Sequence, residues 1–322
     1  MEIVSELMQE VSRHGDRLQI IPIRRIQDLK ADIEEYRASE ELNSFQTYLL
    51  SEKFNYDIPA ADFPIRSVLL VAIPHPMYAE VLLTLDGKTI RCKSLVVSDF
   101  RGTEDYLTEH LSYRGYHLMS APEIPLKRLA VRTGMSMYGR NNITYIEGMG
   151  SQFSYAAFYS DVIAESDPWR GIRVAPSCKS CTACIKNCPT EAIRSDRFLI
   201  DNERCLSYLN ERKGEFPSWV PQTAHHCLYD CLNCQLICPM NMAFIQTPVS
   251  LYEFSEEETR QLLNAVPLDQ LSPDLVDRIE LLGLGDWLEG LPRNILTLFE
   301  QTEAEPEPVI LENNDLIIDP LA

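Results

Sequence analysis

Cys178-Lys-Ser-Cys181-Thr-Ala-Cys184-Ile-Lys-Asn-Cys188-Pro189 and Cys231-Leu-Asn-Cys234-Gln-Leu-Ile-Cys238-Pro239 are the stretches that decide how this chain is read. The first has the spacing of a bacterial double-cluster run, in which three closely spaced thiolates wrap one iron–sulfur cube. The fourth cysteine of such a run turns away to a second cube. Two [4Fe-4S] clusters need eight thiolates. Cys178, Cys181 and Cys184 hold the first, with Cys238 crossing over. Cys231 and Cys234 hold the second, with Cys188 crossing over. One ligand is then still to be found, and Cys205 and Cys227 compete for the place. A structural zinc site would use four of the same thiolates, but the paired Cys-x-x-x-Cys-Pro endings favour two cubes.

Nine of the ten cysteines fall between residues 178 and 238, in a chain of 322. A disulfide framework suits a small secreted domain, so this density reads as metal or redox chemistry. Apolar residues make up 45% of the chain, enough for one large core and a smaller unit. Twenty-nine Lys and Arg stand against 48 Asp and Glu, a net charge of −19. That sign argues against a general nucleic-acid binder and disfavours tRNA as a partner, since phosphates need positive surface. The clearest apolar run, residues 68–73, is far shorter than the ~20 residues of a membrane span. The first ten residues carry early acids and no basic leader. The expected setting is the cytoplasm, with no membrane.

Outward from the cysteines, the chain divides into an N-terminal α/β part over 1–170 and a cluster domain over 171–245. A helical part over 246–300 and an acidic flexible tail over 301–322 follow. Val4, Leu7, Met8 and Val11 keep a helical period, and residues 23–42 alternate charge with spaced apolar positions. Two surface helices are expected before residue 45. Residues 68–73 read as a buried strand. Residues 81–85 and 90–97 read as a hairpin about Asp86-Gly87. A helix capped by Thr103 follows over 103–113, then a short strand over 115–119 and a helix over 125–133 ended by Gly134. Ser255 and Ser272 read as helix caps, and residues 285–299 as a last helix. The fold class expected is α+β: a mixed-sheet α/β N-terminal domain, a ferredoxin-like double-cluster domain and a helical C-terminal part.

The cysteine order and its surroundings resemble the epoxyqueuosine reductases, which are cobalamin-dependent iron–sulfur enzymes related to reductive dehalogenases. The matching pieces are Ser177-Cys-Lys-Ser-Cys-Thr-Ala-Cys-Ile-Lys-Asn-Cys-Pro-Thr-Glu-Ala-Ile193, Arg204-Cys-Leu-Ser-Tyr-Leu209, and Asp230-Cys-Leu-Asn-Cys-Gln-Leu-Ile-Cys-Pro-Met-Asn241. By this resemblance the missing ligand of the second cluster is Cys205. Gly134-Met-Ser-Met-Tyr-Gly-Arg-Asn141 is similar to a glycine-rich segment of that family, ending Gly-Lys-Asn, which lines the corrinoid pocket. Gly290-Leu-Pro-Arg-Asn294 is faintly similar to a late Arg-Asn element. The resemblance implies two [4Fe-4S] clusters feeding a bound cobalamin that reduces a substrate not identified by the sequence. It also implies a low-potential donor protein or flavoprotein.

Tyr138, Gly139, Arg140 and Asn141 are then expected at the corrinoid edge, with His75 at the end of the best buried strand as a further candidate. The family's proton-donating Asp has no counterpart. Counting back from the glycine-rich segment puts Ser120 at its position, matching on Pro122 puts Met119 there, and Glu123 is the nearest acid; Ser120 and Glu123 are the catalytic candidates. His225 and His226, just before the second run, are placed either to tune a cluster or to bond backbone. Two rivals share the cysteine chemistry. One is a plain electron carrier. The other is an activator that reduces the corrinoid of a partner protein and holds none tightly itself.

Overall fold

The computed structural model describes residues 2–39, 42–121, 123–245 and 249–301; the acidic stretch read as a tail lies outside the described residues. Helix α1 (Glu2–Arg13) buries Leu7 and Val11, and Gly15, at φ +83°, turns the chain into strand β1 (Arg17–Pro22). Helix α2 (Arg25–Ser39) and the short α3 (Ser44–Tyr48) precede strand β2 (Ser67–Pro74). Hairpin β3 (Ala79–Leu85) and β4 (Lys88–Ser94) turns at Asp86 and Gly87, both with positive φ, as a type I′ turn requires. Helix α4 (Phe100–Tyr113), strand β5 (Leu118–Ser120) and helix α5 (Leu126–Arg132) follow. The ribbon β6 (Met137–Tyr138) and β7 (Thr144–Tyr145) leads into strand β8 (Phe153–Ser160).

The main sheet has the order β1-β2-β8-β5 and every pairing in it is antiparallel. β2 reads Ser-Val-Leu-Leu-Val-Ala-Ile-Pro and is buried along all but its last residue. Its alternate side chains serve two cores. Leu69, Val71 and Ile73 meet α1 and α4 through Leu7, Val11, Leu107 and Leu111. Val68 and Leu70 meet α2 and α5 through Ile26, Leu29 and Leu129. Helices on both faces explain an unbroken apolar run where a one-sided antiparallel strand would alternate. Each such buried Leu contributes roughly 2 kcal/mol of burial.

A second core joins distant parts of the chain. Strand β9 (Leu251–Phe254) pairs in parallel with β3, giving the only mixed sheet among the described residues, β4-β3-β9. Helices α10 (Glu256–Leu263), α11 (Pro273–Leu281) and α12 (Leu291–Gln301) close over it with Leu262, Leu275, Ile279, Leu291 and Ile295. Ser255 and Ser272 cap α10 and α11 as expected, the former in a full capping box with Glu258.

Three expectations are corrected. The first 45 residues are not two surface helices. β1 lies between α1 and α2, because Leu18 and Ile20 alternate with Arg17 and Gln19 at period two, and both helices bury apolar faces. The cap of α4 is Asp99, which accepts from Gly102 N at 2.8 Å; Thr103 is buried one turn in and donates to Asp16. The cysteine region is not a sheet-based ferredoxin fold. Between β8 and β9 the described residues form only short helical turns: α6 (Ala183–Lys186), α7 (Leu206–Asn210), α8 (Asn233–Leu236), α9 (Met242–Ile245) and four 3-10 turns. Prolines after Cys188 and Cys238, and turns tight enough to aim neighbouring thiols inward, leave no room for ladder pairing.

Candidate metal centre and the cavity beside it

The cysteines gather in two groups. Around Cys184 stand Cys178, Cys181 and Cys238; burial pushes the Cys184 thiol up to about 11 and these three neighbours add to it. A void of about 20 Å³ lies between the four, bordered by Arg140 and Tyr145. The second group is Cys205, Cys231 and Cys234. Burial drives the Cys231 and Cys234 thiols well up, and Cys205 acts on both. Thiols gathered in this way can serve as a donor set for a cation, which deprotonates the thiols it coordinates. Among the described residues no three His, Cys, Asp or Glu side chains converge on a single-ion site. A tetrahedral zinc would draw its sulfurs to about 3.8 Å apart, from Zn–S bonds of about 2.3 Å. A cube spaces its four thiolates more widely.

Asp230 fixes the second group. It has positive φ, and its Oδ1 accepts from Cys231 N at 2.6 Å and from the Ser207 hydroxyl. Ser207 belongs to the middle motif, so this one carboxylate ties Cys205 to Cys231. Asn210 of α7 donates to Asp230 O at 2.8 Å. Cys227 also lies near Cys231, but its buried thiol faces Cys92, and its backbone is bridged to β4 at Lys93. Cys188 Sγ accepts from Ala192 N at 3.3 Å, and Asn187 Nδ2 donates to Asn233 O at 2.9 Å, joining α6 to α8. The late Arg-Asn element braces the same region. Arg293 donates to Leu209 O and Gly214 O, both at 2.7 Å, and buried Asn294 donates to Asn210 O and Leu228 O.

The glycine-rich segment holds both cysteine runs. Tyr138 N donates to Arg173 O and Ala175 N to Tyr138 O, so the β6–β7 ribbon grips the chain entering the first run. Arg140 donates to Cys178 O at 2.7 Å and Cys181 O at 3.2 Å. Asn141 Nδ2 donates to Tyr145 OH at 3.0 Å and to Cys234 O at 3.4 Å. The Tyr145 hydroxyl in turn bonds Cys238. Arg140 thus turns toward the first cysteine group, where the sequence reading placed it at a corrinoid edge.

A cavity of about 630 Å³ opens on the other side of Asn141. Its walls come from α2, the 42–54 segment, α5, the β6–β7 ribbon, β8 and residues 198–202; they are mainly apolar, with Tyr138, Tyr155 and Phe153 among them. Of the residues read from the sequence, Tyr138, Asn141 and His75 line it; Gly139, Arg140, Ser120 and Glu123 do not. Glu123 is exposed and lies toward Tyr159, and Ser120 is exposed on β5. His75 is held by Pro76 O at 2.7 Å and by the Phe153 backbone, and desolvation lowers its pKa, so it is a positioned neutral ring. His225 and His226 stand at another surface depression, beside Lys93; burial holds His225 neutral, with its pKa down at about 4.

Sequence reasoning passed over Lys127. It lies on α5 in the cavity wall, facing Asp230, Cys205 and Cys234. Its side chain is open to the cavity's own space, yet protein surrounds it, so desolvation lowers its pKa while those three groups pull it up. Its neighbour Arg128 is committed to Asp32, donating at 2.6 and 2.8 Å, and Arg132 joins the same carboxylate. Only knowledge of which helix face meets the cysteines could have singled Lys127 out. Among the described residues no carboxylate lines the cavity. Amide and hydroxyl groups of Gln46, Asn142, Thr144, Ser154 and Asn202 do. Apolar walls with a few such polar groups are the lining of an organic-ligand pocket.

Residues 177–241 match the family described as a 4Fe-4S double cluster binding domain. Over 123 residues the chain is 35% identical to the epoxyqueuosine reductase of Francisella cf. novicida (strain Fx1), covering 38% of this chain and 33% of that one. It is 28% identical over 197 residues to that of Burkholderia pseudomallei (strain K96243), covering 55% and 48%. The matches thus span between a third and about half of these relatives. Among solved structures, an epoxyqueuosine reductase from Bacillus subtilis superposes with a TM-score of 0.60 at 18% identity, over 92% of this chain and 81% of that one. One from Streptococcus thermophilus gives 0.59 at 16%, over 94% and 82%. A third epoxyqueuosine reductase, at 0.59 and 17%, over 92% and 81%, was solved with an epoxyqueuosine-modified tRNA-Tyr stem loop. That complex overturns the inference that net charge disfavours tRNA. A whole-chain sum does not describe one groove, and phosphate contacts depend on local charge alone. No helix among the described residues is long and apolar enough to cross a membrane.

Proposed function

Starting from a chain that is a divergent homologue of the epoxyqueuosine reductases, we propose an iron–sulfur oxidoreductase that delivers electrons through two [4Fe-4S] clusters to a cobalamin site in the 630 Å³ cavity. The observation that carries this reading is the position of Asn141. One side chain lines the cavity, bonds the carbonyl of Cys234 and borders the first cysteine group. Cavity and cysteines are therefore neighbours through a single residue. When bound, cobalamin would supply a low-valent cobalt able to reduce a substrate carbon.

The residues divide the remaining work. Cys178, Cys181, Cys184 and Cys238 would hold one cluster, and Cys205, Cys231, Cys234 and Cys188 the other. Arg140, Asn141 and Tyr145 keep their loops in place. Tyr138, Phe153 and Tyr155 give the cavity apolar walls that exclude water. Lys127 stands between the cavity and the second cysteine group. The substrate is open; a tRNA stem loop is the first to test, because a relative of the same fold was solved with one.

The second reading is a protein that passes electrons to a partner or activates a partner's corrinoid. One observation favours it: among the described residues no carboxylate lines the cavity. Anaerobic purification with added cobalamin, followed by iron, sulfide and cobalt analysis, separates the two. About eight irons and one cobalt per chain are expected. Eight irons with no cobalt after reconstitution would transfer the assignment to the second reading.

A further inference from the structure

We propose that the surface over the first cysteine run is the docking face for an acidic one-electron carrier protein. The inference rests on the cluster reading above and adds where electrons enter. A groove of about 530 Å³ runs beside Cys178, separate from the large cavity. Phe198 borders both.

The charge of this face opposes that of the chain. Residues 170–200 carry six Arg and Lys against two acids, in a protein with 29 against 48. Arg140, Lys179 and Arg197 line the groove with one acid, Asp196, and Arg194 pairs with that carboxylate. Arg173 is exposed at the groove's edge, next to Val174, which is 46% exposed. A small apolar centre within a basic rim suits a brief, charge-steered encounter, small in area and fast to form. A strongly acidic body steers an acidic partner away everywhere else and leaves this face as the attractive one. Delivery there oxidises the carrier by one electron and reduces the chain's first centre by one, with no bond made or broken.

The test uses the full iron-loaded chain and an oxidised plant-type [2Fe-2S] ferredoxin as probe, with affinity read by titration calorimetry. The double variant R173E/K179E changes exposed side chains that make no bond to the cysteine loops. Its iron content and optical spectrum should match the native chain. Its affinity should fall at least tenfold at low salt, and raising salt from about 50 to 300 mM should weaken the native complex but hardly the variant. Lys213→Glu, at an exposed ion pair with Glu289 outside the groove lining, should bind as the native chain does. Equal affinity in the double variant, or no binding by a native chain carrying both clusters, overturns the docking face. A variant that keeps ferredoxin but loses a tRNA stem loop overturns it in favour of an RNA surface. A native chain that loads no iron instead defeats the cluster reading beneath it.

Discussion

At the scale of single residues, the choice between Cys205 and Cys227 is where geometry adds most to spacing. Spacing alone leaves both open. The Asp230 carboxylate ties Ser207 of the middle motif to Cys231, which favours Cys205, while Cys227 also stands beside Cys231 but has its backbone bridged to β4 at Lys93. Cys205→Ser should retain about four irons, and Cys227→Ser about eight, by iron and sulfide analysis; equal loss in both would sink the assignment. A second residue-scale prediction concerns Asp32, 6% exposed between Arg128 and Arg132. Desolvation pushes its pKa up, but the two guanidiniums prevail and hold it at about 2. A depressed carboxylate contributes stability that is complete above its unfolded value of about 3.9 and is lost as pH falls through about 2. Asp32→Asn should cost about 2 kcal/mol near neutrality, because two half-buried cations lose their partner. Denaturant midpoints of native and variant chains should draw together between pH 4 and 2; a constant gap would refute the ion pair's role. Arg128 also lines the cavity, so this triad holds one of its walls.

At the scale of elements, the ribbon from Met137 to Tyr145 reaches both cysteine runs, and one glycine makes that possible. A Cβ at Gly139 would lie 2.6 Å from Asn141 Oδ1 and 2.6 Å from Tyr145 Cε2. Gly139→Ala must therefore displace the two side chains that bond Cys234 O and Cys238. A loss of about 1–3 kcal/mol is expected, with faster bleaching of the cluster absorbance in air; an unchanged bleaching rate would show the ribbon does not protect the clusters. The glycine-rich segment was legible in the sequence, but its work was not, because side-chain direction within a two-residue strand has no periodic signature. The same limit explains the strands. β2 announces itself by an apolar run, and the β3–β4 hairpin by Asp86-Gly87. β1, by contrast, carries only two alternating positions beside a strong helix. β8, Phe-Ser-Tyr-Ala-Ala-Phe-Tyr-Ser, mixes aromatics with a small Ala-Ala centre, ends on a buried Ser and shows neither pattern. β9 is four residues long and finds its partner, β3, some 170 positions earlier, a pairing that no local window contains.

At the scale of the whole molecule, the cores and the cysteine region are stabilised by different things. The apolar clusters draw on residues up to about 169 and again from Leu228 onward; among the described residues none between 170 and 227 belongs to them. That interval has no strands and only short turns, so burial alone is insufficient to order it. What remains is a set of backbone bonds from Arg140, Asn142 and Arg293, and the thiols themselves. Where ligands converge only on a bound metal, binding free energy is folding free energy. Removing iron with a chelator and mild oxidant should therefore melt the 177–215 stretch while the antiparallel sheet and the β4-β3-β9 core persist. Trypsin should then cut at Lys179, Lys186 and Arg194 at least ten times faster than in the iron-loaded chain. Sites on α4 and α11 should be cut at unchanged rates, and most of the far-ultraviolet circular dichroism should remain. Cleavage at all sites together would mean that the cysteine region and the two cores unfold as one unit. Resistance at all of them would mean that the arginine and asparagine braces suffice without metal. The first outcome alone agrees with a segment whose sequence spends its residues on cysteine, proline and charge rather than on apolar contacts.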